Sequence, residues 1–343
     1  MITESLYELI DNGRKGKNTG ISTGLPKLDE LTYGIQKGWM TIVGGDSGSG
    51  KSSFVLYSAI YNSFSRYLES LGTDDEFDVS YLIFSFEMSA EVLFAKLLST
   101  HIYNKYGVVI SYSDILSFGE PLSEEYFNLL NNEIEWIKIF ESKCLIYDKP
   151  CTAKQLYGIC KSWAEKLGDF TELENGAELY KENNSNLLPI VVVDHIKLLK
   201  LNTGHTAKQE IDEACDYLIW FRNKCKFSIY IVQQLNRNFK QYERRKDESL
   251  FNIGLEDFSD SSGTIQAAEI VLAIYNPERE KRSRYMEYDI KTGLQDRARS
   301  VSVLKHRFGI ADRLIAVGFY GEVSLWKELP PANIINYEAY RNL

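Results

Sequence analysis

The stretch Gly45-Asp46-Ser47-Gly48-Ser49-Gly50-Lys51-Ser52 constrains this chain more than any other feature in it. It satisfies the pattern G-x-x-x-x-G-K-[ST]. It also falls between an apolar β run, Met40-Thr41-Ile42-Val43-Gly44, and a segment that predicts a helix from Lys51 to about Phe64. Glycines let the backbone turn tightly enough for its N–H groups to converge on a phosphate. The helix N-terminus behind them adds partial positive charge. Residues Gly45, Asp46, Ser47, Gly48, Ser49, Gly50, Lys51, Ser52 and Ser53 are therefore assigned to a phosphate-binding loop and the helical turn after it. Lys51 is placed to reach the β- and γ-phosphates of ATP, and the Ser52 hydroxyl to ligate Mg2+. A glycine-serine turn with a chance lysine would not explain the strand before it and the helix after it.

The rest of the chain supplies the sheet such a loop needs. Pro189-Ile190-Val191-Val192-Val193-Asp194 is apolar on both faces, as a central parallel strand is. Further strands are expected at 81–86, 144–148 and 227–232, then near 269–275, 300–305 and 313–319. Helices are expected through Ala95 and Leu98 and from about Ala207 to Cys225. Strands alternating with helices give an α/β fold with a mostly parallel sheet covered on both faces. Three segments, 68–79, 104–140 and 167–187, look like polar insertions and are taken as helical. Residues 3–12 read as a short amphipathic helix with Leu6, Leu9 and Ile10 on one face. A flexible linker then leads to Gly20, giving a division into 1–19 and 20–343.

Hydrolysis needs carboxylates around the loop. Asp194 ends the apolar strand, where a carboxylate orients Mg2+. Glu87 follows the strand at 81–86. The carboxyl end of a parallel strand faces the ligand crevice, so Glu87 is the candidate general base. Gln234 is the candidate γ-phosphate sensor. Gln233 competes for that role, because alternate strand residues face opposite sides and one of the two points into the crevice.

Composition narrows the function. Asp+Glu number 48 against Lys+Arg 39, a net charge of −9, which argues against coating duplex DNA by global charge. It leaves room for a local basic groove. The five cysteines form no C-x-x-C pair, so they read as reduced, buried thiols. Met1-Ile2-Thr3-Glu4-Ser5 is no signal-peptide lead, and no apolar run approaches the roughly 18 residues of a membrane span. A cytoplasmic protein is expected, in the host cytoplasm if it is phage-encoded.

Taken in order, several pieces resemble the C-terminal ATPase domain of DnaB-type replicative helicases, within the RecA-like P-loop fold. They are Gly20-Ile21-Ser22-Thr23-Gly24 with Leu28-Asp29, the phosphate loop, Ser85-Phe86-Glu87-Met88-Ser89, Val193-Asp194, Gln234-Leu235-Asn236-Arg237, Ser262-Gly263-Thr264-Ile265-Gln266 and Lys305-His306-Arg307. The resemblance covers about Gly20 to Lys327. It implies Glu87 as catalytic glutamate, Gln234 as sensor, and Lys305 and Arg307 as a basic pair reaching into the next subunit's nucleotide site. It implies a ring, normally of six, acting on single-stranded DNA, with a primase or helicase loader as further partner. DNA contacts would come from loops around Asn202–Gln209 and Ser259–Thr264.

The basic run Arg237, Lys240, Arg244, Arg245 and Lys246, with Phe239 and Tyr242 interleaved, reads equally as a channel loop or a solvated loop. The departures are expected to leave the ATPase centre intact and to bear on DNA grip and helicase competence. Ser259 stands where many members carry arginine, His195-Ile196-Lys197 replaces an aromatic-containing sequence, and Ala267 replaces an acidic residue. A phage- or plasmid-type member without the family's helical N-terminal domain is expected. An ATP-driven DNA helicase is the expected function. The alternative is a nucleotide-gated assembly ATPase of the RecA/KaiC kind with little unwinding.

Overall fold

The computed structural model describes residues 2–16, 18–174, 176–236, 253–258 and 262–343. Helix α1 (Ile2–Arg14) and the short α2 (Pro26–Thr32) precede β1 (Met40–Gly45). The helix after the phosphate loop is α3 (Lys51–Val55), a π-helical stretch Leu56–Tyr61, and α4 (Asn62–Ser70) in series. Next come β2 (Asp78–Ser85), α5 (Ala90–Tyr106), α6 (Tyr112–Ile115), α7 (Glu124–Asn131), α8 (Ile134–Lys143) and β3 (Cys144–Tyr147). Then follow α9 (Ala153–Leu167), β4 (Gly168–Glu172), β5 (Glu178–Glu182), β6 (Leu187–Asp194), α10 (Ala207–Cys225) and β7 (Ser228–Gln234). The C-terminal part carries α11 (Ser262–Ala267), β8 (Ile270–Tyr275), the small pair β9 (Arg284–Tyr285) and β10 (Tyr288–Asp289), β11 (Ala298–His306), β12 (Arg313–Tyr320), β13 (Leu325–Glu328) and α12 (Tyr337–Arg341).

The main sheet has nine strands in the order β13-β12-β11-β8-β1-β7-β6-β2-β3. From β8 to β3 every pairing is parallel, whereas β11, β12 and β13 add on antiparallel. Alternate residues feed two separate cores, as the pleat requires. Val79, Tyr81 and Ile83 of β2 and Ile190 and Val192 of β6 face the α3–α5 side. Leu82 and Phe84 of β2 and Val191 and Val193 of β6 face α9 and α10. Burial on both sides explains why β6 reads as an unbroken apolar run.

Several expectations shift. The first helix extends to Arg14 instead of ending at 12, and its Leu6, Leu9 and Ile10 are exposed. Segment 68–79 is not a helical insertion: α4 ends at Ser70, β2 starts at Asp78, and residues 71–77 between them are turn and loop. Segment 104–140 is helical, but 167–187 holds an antiparallel hairpin, β4–β5, instead of a helix. Phe170 and Tyr180 pair across it and pack on α9 and Trp220, which supplies the apolar face a two-stranded hairpin needs. All five cysteines are free, and all but Cys144 are buried. Among the described residues no helix is long and apolar enough to cross a membrane.

Candidate active site

The phosphate loop leaves β1 at Gly45 and enters α3 at Lys51. Gly48 (φ 71°) and Gly50 (φ 100°) lie in the left-handed region that favours glycine. A Cβ on Gly50 would also stand 2.8 Å from Trp326 Cζ2. Lys51 Nζ donates to the Asp46 carbonyl at 2.8 Å. Burial pushes the Lys51 ammonium pKa down, while Asp194, Glu87 and Asp46 oppose the shift. The lysine thus sits among the carboxylates that sequence reasoning assigned to the site.

Strand pairing brings those carboxylates together. In the β2–β6 ladder Ser85 stands opposite Asp194, and Phe86 N–H donates to the Asp194 carbonyl at 2.7 Å. Glu87 therefore emerges beside Asp194, and its side chain is 48% exposed, open to solvent in the crevice. Asp194 is buried, and burial raises its carboxyl to about 6, with Glu87 adding to the rise and Ser52 and Lys51 opposing it.

The Ser52 hydroxyl hydrogen-bonds Asp194, and Asp194 Oδ1 is buried without a hydrogen-bond partner. A buried carboxylate oxygen left unused next to a hydroxyl is the hard-oxygen donor set that suits Mg2+. On β7, Gln233 and Gln234 pair in register with Gly44 and Gly45. Gln234 shares the face of Val232, on the core of α3, and Gln233 is buried on the opposite face.

Lys305 and Arg307 lie elsewhere. Lys305 and His306 pair with Val271 and Ile270 at the start of β8, whereas Gly45 pairs with Ile274 near its end. The pair thus sits at the opposite end of the sheet from its own phosphate loop, about 10 Å or more away along the strands. Both cations are bound within the chain, to carbonyls of residues 265–267 and, for Arg307, to Glu269. They are not a solvated strand tip. His306 points the other way, packed edge-on against Tyr33 and Trp39 at 5.3 and 5.6 Å.

Arg279 and Arg299 escaped sequence reasoning, while His195 and Glu269 were read there without the contacts they make. Arg279 donates to the Ser47 carbonyl, and Arg299 Nε to the Ser49 carbonyl at 3.1 Å, so both brace the phosphate loop. His195 Nε2 stands 3.3 Å from Glu87 Oε1. Glu269 receives Arg222 and Arg307. His195 and Glu269 had a signal, since both sit in motif positions; the two arginines had none. A cavity of about 930 Å3 is lined by Lys281, Arg282, Lys291, Asp296, Arg297 and Glu322 among others. It is joined to the phosphate loop through the Asp296–Arg299 contact.

Of the expected DNA loops, Asn202–Gln209 is described and largely exposed. Buried Glu210 organises it by accepting from Asn202 N–H at 3.0 Å and pairing with His205 Nδ1 at 3.0 Å. Residues 259–261, Ser259 among them, and the basic run from Arg237 to Lys246 lie outside the described residues.

A parallel sheet with a phosphate loop, a carboxylate ending the strand two places away and a second carboxylate beside it defines a P-loop nucleotide-binding protein of the RecA-like class. The chain belongs to the DnaB-like helicase C-terminal domain family, which it matches over residues 20–328. It is 28% identical over 278 residues to the replicative DNA helicase DnaB of Helicobacter pylori, covering 80% of this chain and 48% of that protein. Against the DnaB of Leifsonia xyli it is 24% identical over 336 residues, covering 96% of this chain and 62% of that one. The chain thus spans about half to three-fifths of the length of these relatives. Its fold is similar to a solved structure described as an ATPase domain, with TM-score 0.71 and 19% identity over 96% of this chain and 99% of that one. It is also similar to a DnaB-like replicative helicase studied with primase, with TM-score 0.69 and 19% identity over 96% of this chain and 67% of that one.

Proposed function

We propose that this chain is the motor of a ring-forming, DnaB-type DNA helicase that hydrolyses ATP between subunits and moves on single-stranded DNA during replication. One observation carries the reading: the phosphate loop and the Lys305–Arg307 pair occupy opposite ends of one sheet. Arg307 cannot reach the nucleotide of its own chain, but a second copy stacked head-to-tail would present it to that nucleotide. Head-to-tail contacts repeat, and close into a ring when the rotation per subunit allows. The exposed Leu6, Leu9 and Ile10 face of α1 suits contact with the same neighbour.

The chain's residues then divide the work. Backbone N–H groups of the loop and Lys51 hold the phosphates. Ser52 and Asp194 would hold Mg2+, which supplies charge neutralisation on the phosphate oxygens when bound. Glu87, open to solvent beside Asp194, takes a proton from the attacking water. Gln234, paired with Gly45, registers loss of the γ-phosphate. Arg307 of the adjoining copy stabilises transition-state charge, an effect that can reach about 10³-fold or more in rate. Single-stranded DNA would pass along the 202–209 loop, and a primase or loader is the fitting further partner.

The test is ATP turnover with and without single-stranded DNA, strand displacement on a forked duplex, and mass photometry with ATP. DNA-stimulated turnover by a ring that unwinds the fork is expected. Slow turnover indifferent to DNA, with no displacement, would replace this reading by a nucleotide-gated assembly ATPase. Full-speed hydrolysis by a monomer would remove both.

A further inference from the structure

The two cations assigned to a neighbour's nucleotide are already occupied. Lys305 Nζ donates to the carbonyls of Ile265 and Gln266 at 2.8 and 2.7 Å. Arg307 Nη2 donates to the carbonyls of Gln266 and Ala267 at 3.0 and 3.2 Å. These carbonyls end α11, where the last turn of a helix has no intrahelical donors and carries partial negative charge. Arg307 Nη1 meets Glu269 Oε1 at 2.7 Å.

Glu269 is buried and fixed from two other directions. It accepts from Met40 N–H at 2.8 Å, at the start of the strand that leads to the phosphate loop, and from Arg222 Nη1 at 3.0 Å. A buried carboxylate gripping a guanidinium makes one of the stronger hydrogen-bonded contacts a protein has. The outer part of the contact is open, since the Arg307 side chain is 40% exposed. Arg307 is thus held firmly at one end and accessible at the other.

Both Nη atoms are spent on Glu269 and α11. Turning the rigid guanidinium fork toward another subunit's phosphates breaks those contacts. α11 lies at the end of the segment expected to contact DNA, Ser259–Thr264. We infer that Glu269 is a positioning residue that holds Arg307 on α11, so that a nucleotide in the next subunit uncaps this helix whenever it draws Arg307 away. The nucleotide of one copy would thereby set the support of the DNA-contact segment of the next. This rests on the reading of Arg307 as acting in trans. Lys305, bound to carbonyls alone, keeps a partial cap when Arg307 leaves.

Hydrogen exchange of the amides at 264–269 in nucleotide-free protein tests the hold directly, with turnover measured on the same samples. Arg307→Ala should speed exchange there by roughly fivefold, the scale of a lost cation at a helix C-terminus. Glu269→Gln keeps the shape and the acceptor for Met40, and should speed it less. Strand 190–194 should exchange as in the wild type in both. Glu269→Gln should also raise DNA-free turnover of the assembled protein by roughly threefold and lower its stimulation by DNA to match. Wild-type exchange at 264–269 in Arg307→Ala overturns the inference, as does unchanged DNA stimulation in Glu269→Gln. Full turnover by Arg307→Ala instead overturns the trans reading beneath it, so the two failures are told apart.

Discussion

Replacing Asp194 by Asn should stabilise the nucleotide-free protein while destroying its function. Asp194 is 5% exposed, and burial lifts its carboxyl from the ordinary 3.8 to about 6. The folded state therefore binds protons more tightly than the unfolded state, and its stability falls as pH rises from about 4 to about 6. A gap of about two pKa units corresponds to a penalty of roughly 3 kcal/mol, felt in full at pH 7 and absent below the unfolded value. Asn is uncharged at every pH and escapes that cost. Urea unfolding without metal or nucleotide should show Asp194→Asn more stable by about 2–3 kcal/mol at pH 7.5, with the advantage shrinking steadily toward pH 4. Adding Mg2+ and ATP should reverse the order, because a ligand that binds only the folded wild type stabilises it by mass action. An Asn variant no more stable at pH 7.5, or one whose advantage persists undiminished at pH 4, would show that burial of the charge is not what perturbs this carboxyl.

Two further substitutions probe the scaffold. Gly50→Ala forces a side chain into φ 100° with its Cβ 2.8 Å from Trp326 Cζ2, and should cost about 2–3 kcal/mol in urea unfolding; a variant within 0.5 kcal/mol or so of wild type would mean the loop relaxes freely. Glu133 is buried at the start of α8, where burial alone would raise its carboxyl, but hydrogen bonds from Lys105, Tyr106 and His101 outweigh that and hold it at about 2. Its stabilising contribution is present above the ordinary 4.5 and lost as pH falls toward 2. Glu133→Gln should cost about 2 kcal/mol, reduced from the full shift because Lys105 is half exposed, and should alter the near-ultraviolet circular dichroism around Trp136, which stacks on His101 at 4.3 Å. Unchanged stability at pH 7 would show that the helical insertion is held by its apolar contacts alone.

What the sequence discloses depends on how far away the partner lies. The phosphate loop is local, and each glycine answers to its own backbone angle or an adjacent contact, so it is readable. β6 is readable because both faces are buried and every residue from Ile190 to Val193 is apolar. The first residues of β2 are not readable. Asp78, Val79 and Ser80 become strand because Leu187, Leu188 and Pro189 lie opposite them. The hairpin β4–β5 hides for a different reason. Its acidic side chains Glu172, Glu178 and Glu182 share the face of Phe170 and Tyr180, the only large apolar groups on that face, and the opposite face carries Asp169, Thr171, Leu179 and Lys181. The turn between the strands is closed by Gly176 (φ 76°), whose N–H bonds the Leu173 carbonyl at 2.8 Å, a contact that polar composition does not announce. The stretch Leu56–Tyr61 is buried all round, which leaves no exposed face for a helical period to show.

The Lys305–Arg307 pair shows the same limit at the level of function. Two cations at alternate positions of a strand face the same side, so the sequence correctly groups them and sets His306 apart. It does not say what they touch. That depends on a register shift in the β8–β11 ladder between Val303 and Lys305, which sets Lys305 opposite Val271 and His306 opposite Ile270. Arg307 follows at the end of the strand, where its N–H bonds the Glu269 carbonyl at 2.8 Å while its side chain meets the Glu269 carboxylate. A bulge is a property of two strands together, invisible in either. Without the shift the pair would sit one residue out of step, and alternation would turn both cations to the other face of the sheet, against Tyr33 and Trp39. Whether Arg307 is a free finger or a tethered one therefore rests on a single extra residue in β11, and that is the feature on which any coupling between neighbouring nucleotide sites has to act.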